Sequence, residues 1–259
     1  IRDSSTSRGL GDVYKRQGPL MLNPTAAILI IGDEILSGRT RDSNMHYLSC
    51  ELTKIGIDLQ EARFIPDNAA KIIDDVRCLS SKYDYVFTSG GIGPTHDDIT
   101  ADCIAAAFET KISIREDAFK LLENYYSEQN IDFNSARQRM ARIPNGAKLI
   151  DNPISVAPGF HLNNVFVMAG VPNIFQSMVQ NILPLILNGK PVLSKSVQIP
   201  RGEGDIAVEL KKIASEHKSV SIGSYPHNNK GNFGTNIEVR GINNEELDRV
   251  AEKLKSKLL

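Results

Sequence analysis

What most limits the fold of this chain is an alternation. Apolar runs ending in glycine- or acid-rich turns give way, three times over, to helical spacing. Ala26 to Ile31 is a continuous apolar run closed by Gly32-Asp33-Glu34, the composition of a parallel strand buried on both faces. Ser43 is placed to cap a helix whose Met45, Leu48, Leu52 and Ile55 follow helical spacing, and Gly56 stops it. Ile57 to Ile65 reads as a second strand. Asp67 or Asn68 then opens a helix with Ile72, Ile73, Val76 and Leu79 on one face. Val86 to Thr88 is a third strand, followed by a glycine loop and a helix from Ile99 to Phe108. A period of roughly 30 residues is that of the βαβ crossover, which builds a parallel sheet.

The third turn is the most informative. After Ser89 come Gly90, Gly91 and Gly93 with Pro94 and Thr95, then adjacent carboxylates, Asp97 and Asp98, before the helical pattern resumes. Open α/β sheets bind ligands beyond the carboxyl ends of their strands. Glycines let main-chain N–H groups approach a phosphate, and paired Asp side chains supply the oxygen ligands that divalent cations prefer. A P-loop is excluded because no lysine follows the glycines, and a dinucleotide fingerprint starting at Gly91 fails at His96. The bland alternative is a strand-to-helix turn with Asp98 as helix cap.

The same residues carry a family likeness. T-S-G-G-I-G-P-T-H-D-D-I-T, Thr88 to Thr100, resembles the signature of the MoaB/Mog-type molybdopterin-binding domain. The variant is that of the competence/damage-inducible protein A (CinA) family and of the amino-terminal domain of eukaryotic FAD synthases. I-I-G-D-E-I-L-S-G-R-T-R-D-S-N from Ile30 to Asn44 is similar to the family's first motif. V-A-P-G-F from Val156 to Phe160 and A-G-V-P from Ala169 to Pro172 follow in the family's order. Two positions depart from it: Ser155 stands where a glycine is expected, and Ile174 where relatives often carry a glutamate. The likeness implies ligand contacts at Ser37, Asn44, Ser89, Gly90, Gly91, Gly93, Pro94, Thr95, Thr100, Pro158, Gly159, Gly170 and Pro172. The expected ligand is a small nucleotide or pterin.

Beyond Glu109 the alternation breaks into two helical stretches, Arg115 to Gln129 and Asn134 to Arg142, read as a subdomain or flap beside the site. Its Arg137, Arg139 and Arg142 face either an anionic ligand or water. Val165 to Met168 returns as a strand, and Pro172 starts a helix at its preferred first position. After Gly189 the order is strand Val192 to Ile199, helix Asp205 to His217, strands Val220 to Tyr225 and Thr235 to Arg240, and helix Glu245 to Leu258. The expected architecture is therefore α/β, a three-layer sandwich with a mostly parallel sheet over residues 24–188. A small α+β domain over 191–259 resembles the KH-like domain of CinA proteins. No G-x-x-G clamp supports RNA binding there. The likeness places a nicotinamide mononucleotide deamidase domain beyond Leu259, so that activity is not expected of these residues. Residues 1–23 read as a tail, either translated sequencing-adapter sequence or a disordered arm, with no signal-peptide core.

A net charge of −1 argues against a dedicated nucleic-acid binder. No apolar run reaches the ~18 residues of a membrane span. Cys50, Cys78 and Cys103 fit neither a zinc site nor a disulfide framework; they read as core residues in a reducing cytoplasm. A homodimer is the default expectation.

If the first and third strands are neighbours, Asp33, Glu34, Asp97 and Asp98 converge on one sheet edge. Such charges repel by several kcal/mol at intermediate dielectric, so a divalent cation (Mg²⁺, Mn²⁺ or Co²⁺) is the expected cofactor, held by Asp97, Asp98 and Asp33. These four carboxylates are the expected catalytic set. The chemistry they suit is metal-assisted phosphoanhydride hydrolysis. The family likeness adds substrates such as ADP-ribose or FAD, split into AMP and a phosphate ester. Molybdopterin adenylylation and non-catalytic pterin or nucleotide binding stay open as alternatives. His96 is either a proton donor or a solvated side chain; His46, His161, His217 and His227 show no ligand spacing.

Overall fold

The computed structural model describes residues 23–229 and 232–259; the expectations for residues 1–22 lie outside the described residues. The chain divides into two compact units between Gly189 and Lys190. The first begins β1 (Thr25–Ile31), α1 (Asp33–Leu36), α2 (Asn44–Lys54), β2 (Asp58–Ile65), α3 (Ala69–Lys82), β3 (Tyr85–Ser89) and α4 (Thr100–Ala107). It continues β4 (Ile112–Ile114), α5 (Glu116–Glu128), α6 (Ser135–Gln138), β5 (Arg142–Pro144), β6 (Lys148–Ile150), β7 (Gly159–Leu162), β8 (Val165–Met168) and α7 (Pro172–Ile182).

Six strands form one sheet in the order β2-β1-β3-β8-β7-β6. The β1–β2, β1–β3 and β3–β8 pairs are parallel, and β7 with its two neighbours is antiparallel. The period-two rule of strands divides the central residues between two cores. Ala27, Leu29, Ile31, Val86, Val165 and Val167 pack on the side of α3 and α4. Ala26, Ile28, Ile30, Phe87, Phe166 and Met168 pack on the side of α2 and α7. The unbroken apolar run from Ala26 to Ile31 of β1 is therefore required by burial on both faces. This is the expected α/β sandwich.

The segment 109–147 is no detached flap. The β4–β5 ribbon, α5 and the turn Arg139–Ala141 contribute Ala118, Leu122, Ala141 and Ile143 to the α3–α4 core. The second expected helix is only α6 plus that turn. Two capping expectations also shift. Ser43 makes no side-chain cap for α2; Asp42 accepts from the N–H groups of Asn44 and Met45 instead (both 3.2 Å). At α3, Asn68 is the cap, accepting from Lys71 N at 3.0 Å, so Asp67 has no capping role. Cys103 is buried, and burial pushes its thiol up to about 11. Cys50 and Cys78, by contrast, are exposed. Leu48 and Leu52 form the buried stripe of α2, and Ile72, Val76 and Leu79 that of α3. The two cysteines fall off those stripes by helical geometry.

The second unit runs β9 (Leu193–Ile199), α8 (Glu203–Glu216), β10 (Ser221–Asn229), β11 (Asn232–Gly241) and α9 (Asn244–Leu258), an antiparallel sheet ordered β10-β11-β9. Val197, Ile199, Ile237 and Val239 pack against Ile206 and Ile213 of α8 and Leu247, Val250 and Leu254 of α9. Among the described residues, no helix is long and apolar enough to cross a membrane.

Candidate active site

Four adjacent parallel strands end along one edge of the sheet, and the residues after each form a common cavity. The register pairs Ile31 with Ile65 and Ile30 with Ser89. Gly32 N donates to Ile65 O and Gly90 N to Met168 O, both at 3.1 Å, so the turns after β1, β2, β3 and β8 are stitched side by side. The cavity above them has a volume of about 620 Å³, within the ~300–1,000 Å³ of small-molecule sites. Its floor is Gly32, Gly90, Gly91, Gly93 and Gly170. Pro94, Val171, Pro172 and Ile174 form part of the wall. Across from them stand Tyr126 of α5 and Met140, from the 109–147 segment.

The acidic set differs from the expected one by one member. Glu34, Asp97 and Asp98 line the cavity, while Asp33 is not on its wall. Asp33 lies in the first turn of α1 and gives its backbone N–H to Asp67 Oδ2 at 3.1 Å. Asp67 is the fourth acid on the wall. It follows β2 as Glu34 follows β1, and the strand-end rule that singled out the glycine loop applies equally to it. Burial chiefly raises the Asp67 pKa, and the charges of Asp33, Glu34 and Asp97 push the same way, against the lowering effect of the Asp33 N–H. The acids thus act on one another across the site. Among the described residues, however, no three His, Cys, Asp or Glu side chains stand close enough to hold a metal ion, so Asp33, Asp97 and Asp98 do not form a preassembled cage.

Within the loop, Asp98 is not the helix cap; α4 starts after Ile99 without a side-chain cap. Asp98 Oδ2 instead accepts from Thr95 N at 2.7 Å and Thr95 Oγ1 at 2.5 Å. The same hydroxyl, with Asp97's own N–H and the neighbouring His96, also draws the exposed Asp97 carboxyl below its usual range. The His96 side chain is 99% exposed, which favours its solvated reading.

Several expected contacts lie beneath the floor. Ser89, Asn44 and Thr100 are buried. Asn44 Nδ2 donates to Ser89 Oγ and to Gly170 O, both at 2.8 Å, tying α2 to the ends of β3 and β8. Ser37 is exposed at the end of α1 and lines no part of the cavity. Gly159 is buried in β7, where a Cβ would meet Val167 O at 2.4 Å; it serves packing. Pro158 borders a small side compartment. Ser155 is on the cavity wall, and its neighbour Val156 takes a left-handed conformation (φ 65°), an outlier for a β-branched residue. Asn152 braces it, Oδ1 accepting from the N–H groups of Ile154 and Ser155 (3.1 and 3.2 Å).

Two stability predictions follow from these contacts. Asn44→Ala leaves Ser89 Oγ and Gly170 O without their donor and is expected to cost about 1–3 kcal/mol. The readout is a lower urea midpoint at unchanged m-value; an unmoved midpoint would show that the two bonds add nothing. Asp67 has a folded pKa above its unfolded one. The native state therefore binds the extra proton between the two values, and stability falls as pH rises through that window. Asp67→Asn keeps an acceptor for Asp33 N and removes the charge. It is expected to raise Tm at pH 7 and to lose that advantage below the usual carboxylate range. Equal Tm differences at both pH values would refute the assignment.

A parallel sheet with a glycine loop over an acid-lined cavity defines an α/β ligand-binding domain of the MoaB/Mog kind. Residues 27–188 match the family described as "Probable molybdopterin binding domain", and the chain belongs to that family. Residues 191–259 match "FAD synthase, middle domain". A "Probable FAD synthase" of Caenorhabditis elegans is 31% identical over 259 residues, covering 90% of this chain and 50% of the relative; the chain thus spans about half the length of that relative. A protein of Metallosphaera sedula is 33% identical over 244 residues, covering 90% of this chain and 91% of its own length. Among solved structures, "the protein CinA with unknown function" from Thermoplasma acidophilum superposes with a TM-score of 0.58 at 28% identity. That match covers 63% of this chain and 98% of the other. The chain is a CinA-like molybdopterin-binding-domain protein with an FAD synthase-related second domain.

Proposed function

We propose that the larger unit hydrolyses a phosphoanhydride in a nucleotide such as ADP-ribose or FAD, releasing AMP and a second phosphate ester with the help of a divalent cation. The observation that carries this reading is the gathering of Glu34, Asp67, Asp97 and Asp98 around one cavity whose floor is the glycine loop. An acid-rich wall beside main-chain donors suits a cation-escorted phosphate. The relatives named FAD synthase support a nucleotide ligand.

The donor set fits Mg²⁺, Mn²⁺ or Co²⁺ in one way only. With no three acids in ligating reach among the described residues, one or two carboxylates would hold the ion together with water and substrate phosphate, as is usual for Mg²⁺. Asp97 and Asp98 would be the side chains that do so. When bound, the ion would neutralise phosphoryl charge and acidify water. The chain's own contributions are separable. The turn from Gly90 to Gly93 brings backbone within reach of a phosphate. Thr95 fixes the Asp98 carboxylate. Asp67, with its raised pKa, is a better proton acceptor near neutrality than Asp97, whose pKa is lowered.

A second reading is a non-catalytic pterin or nucleotide module, favoured by Ile174 on the cavity wall where relatives often carry a glutamate. The test is to incubate the protein with ADP-ribose or FAD, with and without Mg²⁺ or Co²⁺, and to follow AMP. Metal-dependent release supports the hydrolase. Binding without turnover supports the module, and pterin-dependent ATP consumption would point to an adenylyltransferase.

A further inference from the structure

The segment 109–147 carries four arginines, and three are committed to the protein. Arg115 donates to Asp117 and to Ala147 O. Arg137 donates to Asp132 O and lies 5.0 Å from the centroid of the Tyr126 ring. Arg142 makes a two-pronged pair with Asp102, at 2.8 and 2.6 Å. The Arg139 side chain makes no hydrogen bond or ion pair with any described residue, although its Nε is shut off from solvent.

Its position gives that isolation a meaning. Arg139 borders a compartment of about 20 Å³ together with Ile92, Gly93, Asp98 and Met140. All four of those neighbours also line the main cavity. A guanidinium stays charged at any working pH, and a donor stripped of water without an acceptor is costly. Asp98 borders the same compartment, yet it forms no ion pair with Arg139 and its Oδ2 is occupied by Thr95. The compartment holds about one water, so it admits the tip of an anionic group and no whole ligand.

We propose that Arg139 is the phosphate-recognising side chain of this site: its guanidinium fork donates to the oxygens of a phosphoryl group of the ligand lying in the main cavity, on the side of the glycine loop served by Asp98. The planar fork matches two oxygens of one phosphoryl group. This inference rests on the reading that the cavity takes a phosphorylated ligand. It goes beyond that reading by naming a contact residue on an element remote in sequence from every glycine-loop motif.

The test compares AMP with adenosine by calorimetric titration of the full chain, at low and high salt, for wild type, Arg139→Gln and Arg139→Lys. Wild type is expected to prefer AMP. Arg139→Gln should weaken AMP by about tenfold or more while adenosine stays within twofold, and the salt dependence of AMP binding should flatten. Arg139→Lys should retain part of the preference, which guards against a folding defect in the glutamine variant. An unchanged AMP-to-adenosine ratio in Arg139→Gln overturns the proposal, as does a wild type that does not bind AMP. A protein that binds AMP through Arg139 but never splits ADP-ribose or FAD would end the hydrolase reading and leave this inference standing.

Discussion

Asp98→Ala is expected to lower AMP release by about three orders of magnitude, the largest catalytic effect of any single substitution in the site. Asp98 does two things at once. Its carboxylate faces the cavity, and its Oδ2 holds Thr95 through two hydrogen bonds, so alanine removes a charge and loosens the loop. Asp98→Asn separates these parts, because an amide oxygen still accepts from Thr95 while the charge is gone; a loss of about 10² is expected from charge alone. Asp97→Ala should also cost about 10² but leave Tm unchanged, since Asp97 is exposed and held only by its own turn. The measurement is kcat at saturating substrate with Mg²⁺ or Co²⁺, alongside a melting curve for each variant. Turnover within threefold of wild type in both alanine variants would remove the acids from the chemistry.

Gly90→Ala is expected to be the most damaging change to stability, about 4 kcal/mol or more. Two independent penalties combine. Gly90 has φ 108°, outside the left-handed well that even Asn tolerates. A Cβ there would sit 2.2 Å from the carbonyl oxygen of Ile31. That oxygen belongs to β1, whose residues are buried on both faces, so the strand has no room to yield. Gly170 presses the same point from above: a Cβ on it would lie 3.2 Å from Gly90 Cα. Chemical denaturation of the full chain reads the loss. A cost under ~1 kcal/mol would mean the loop backbone relaxes where this packing says it is fixed.

How far the sequence was legible follows from element length and from where signals sit. β1, β3 and helices α2, α3 and α7 are long or apolar enough to show their period, and they emerge at nearly the expected boundaries. β4 to β7 run only three or four residues each, too short for alternation to register, and only pairing in the folded chain defines them. The glycine loop was readable because its composition has one physical use. Asp67 gives no such signal because it neighbours a helix start, where an acid has an ordinary capping role, although Asn68 holds that role in the folded chain. Tyr126 and Met140 carry no local mark at all, and Arg139 carries only the open reading of an anionic ligand or water. Tyr126 and Met140 reach the cavity because Ala118, Leu122 and Ile143 dock their segment onto the α3–α4 core, a long-range event that no window of sequence displays.

That docking separates two kinds of inheritance within a single pocket. The acids and glycines belong to strand ends, where any shift disturbs the sheet. The facing wall belongs to residues 109–147, whose anchors are ordinary apolar side chains. Substitutions at Tyr126 and Met140 can redraw that part of the wall, and with it the choice of molecule admitted, while the strand ends stay in place. Swapping that segment between homologues is therefore the natural route to retuning selectivity in this scaffold.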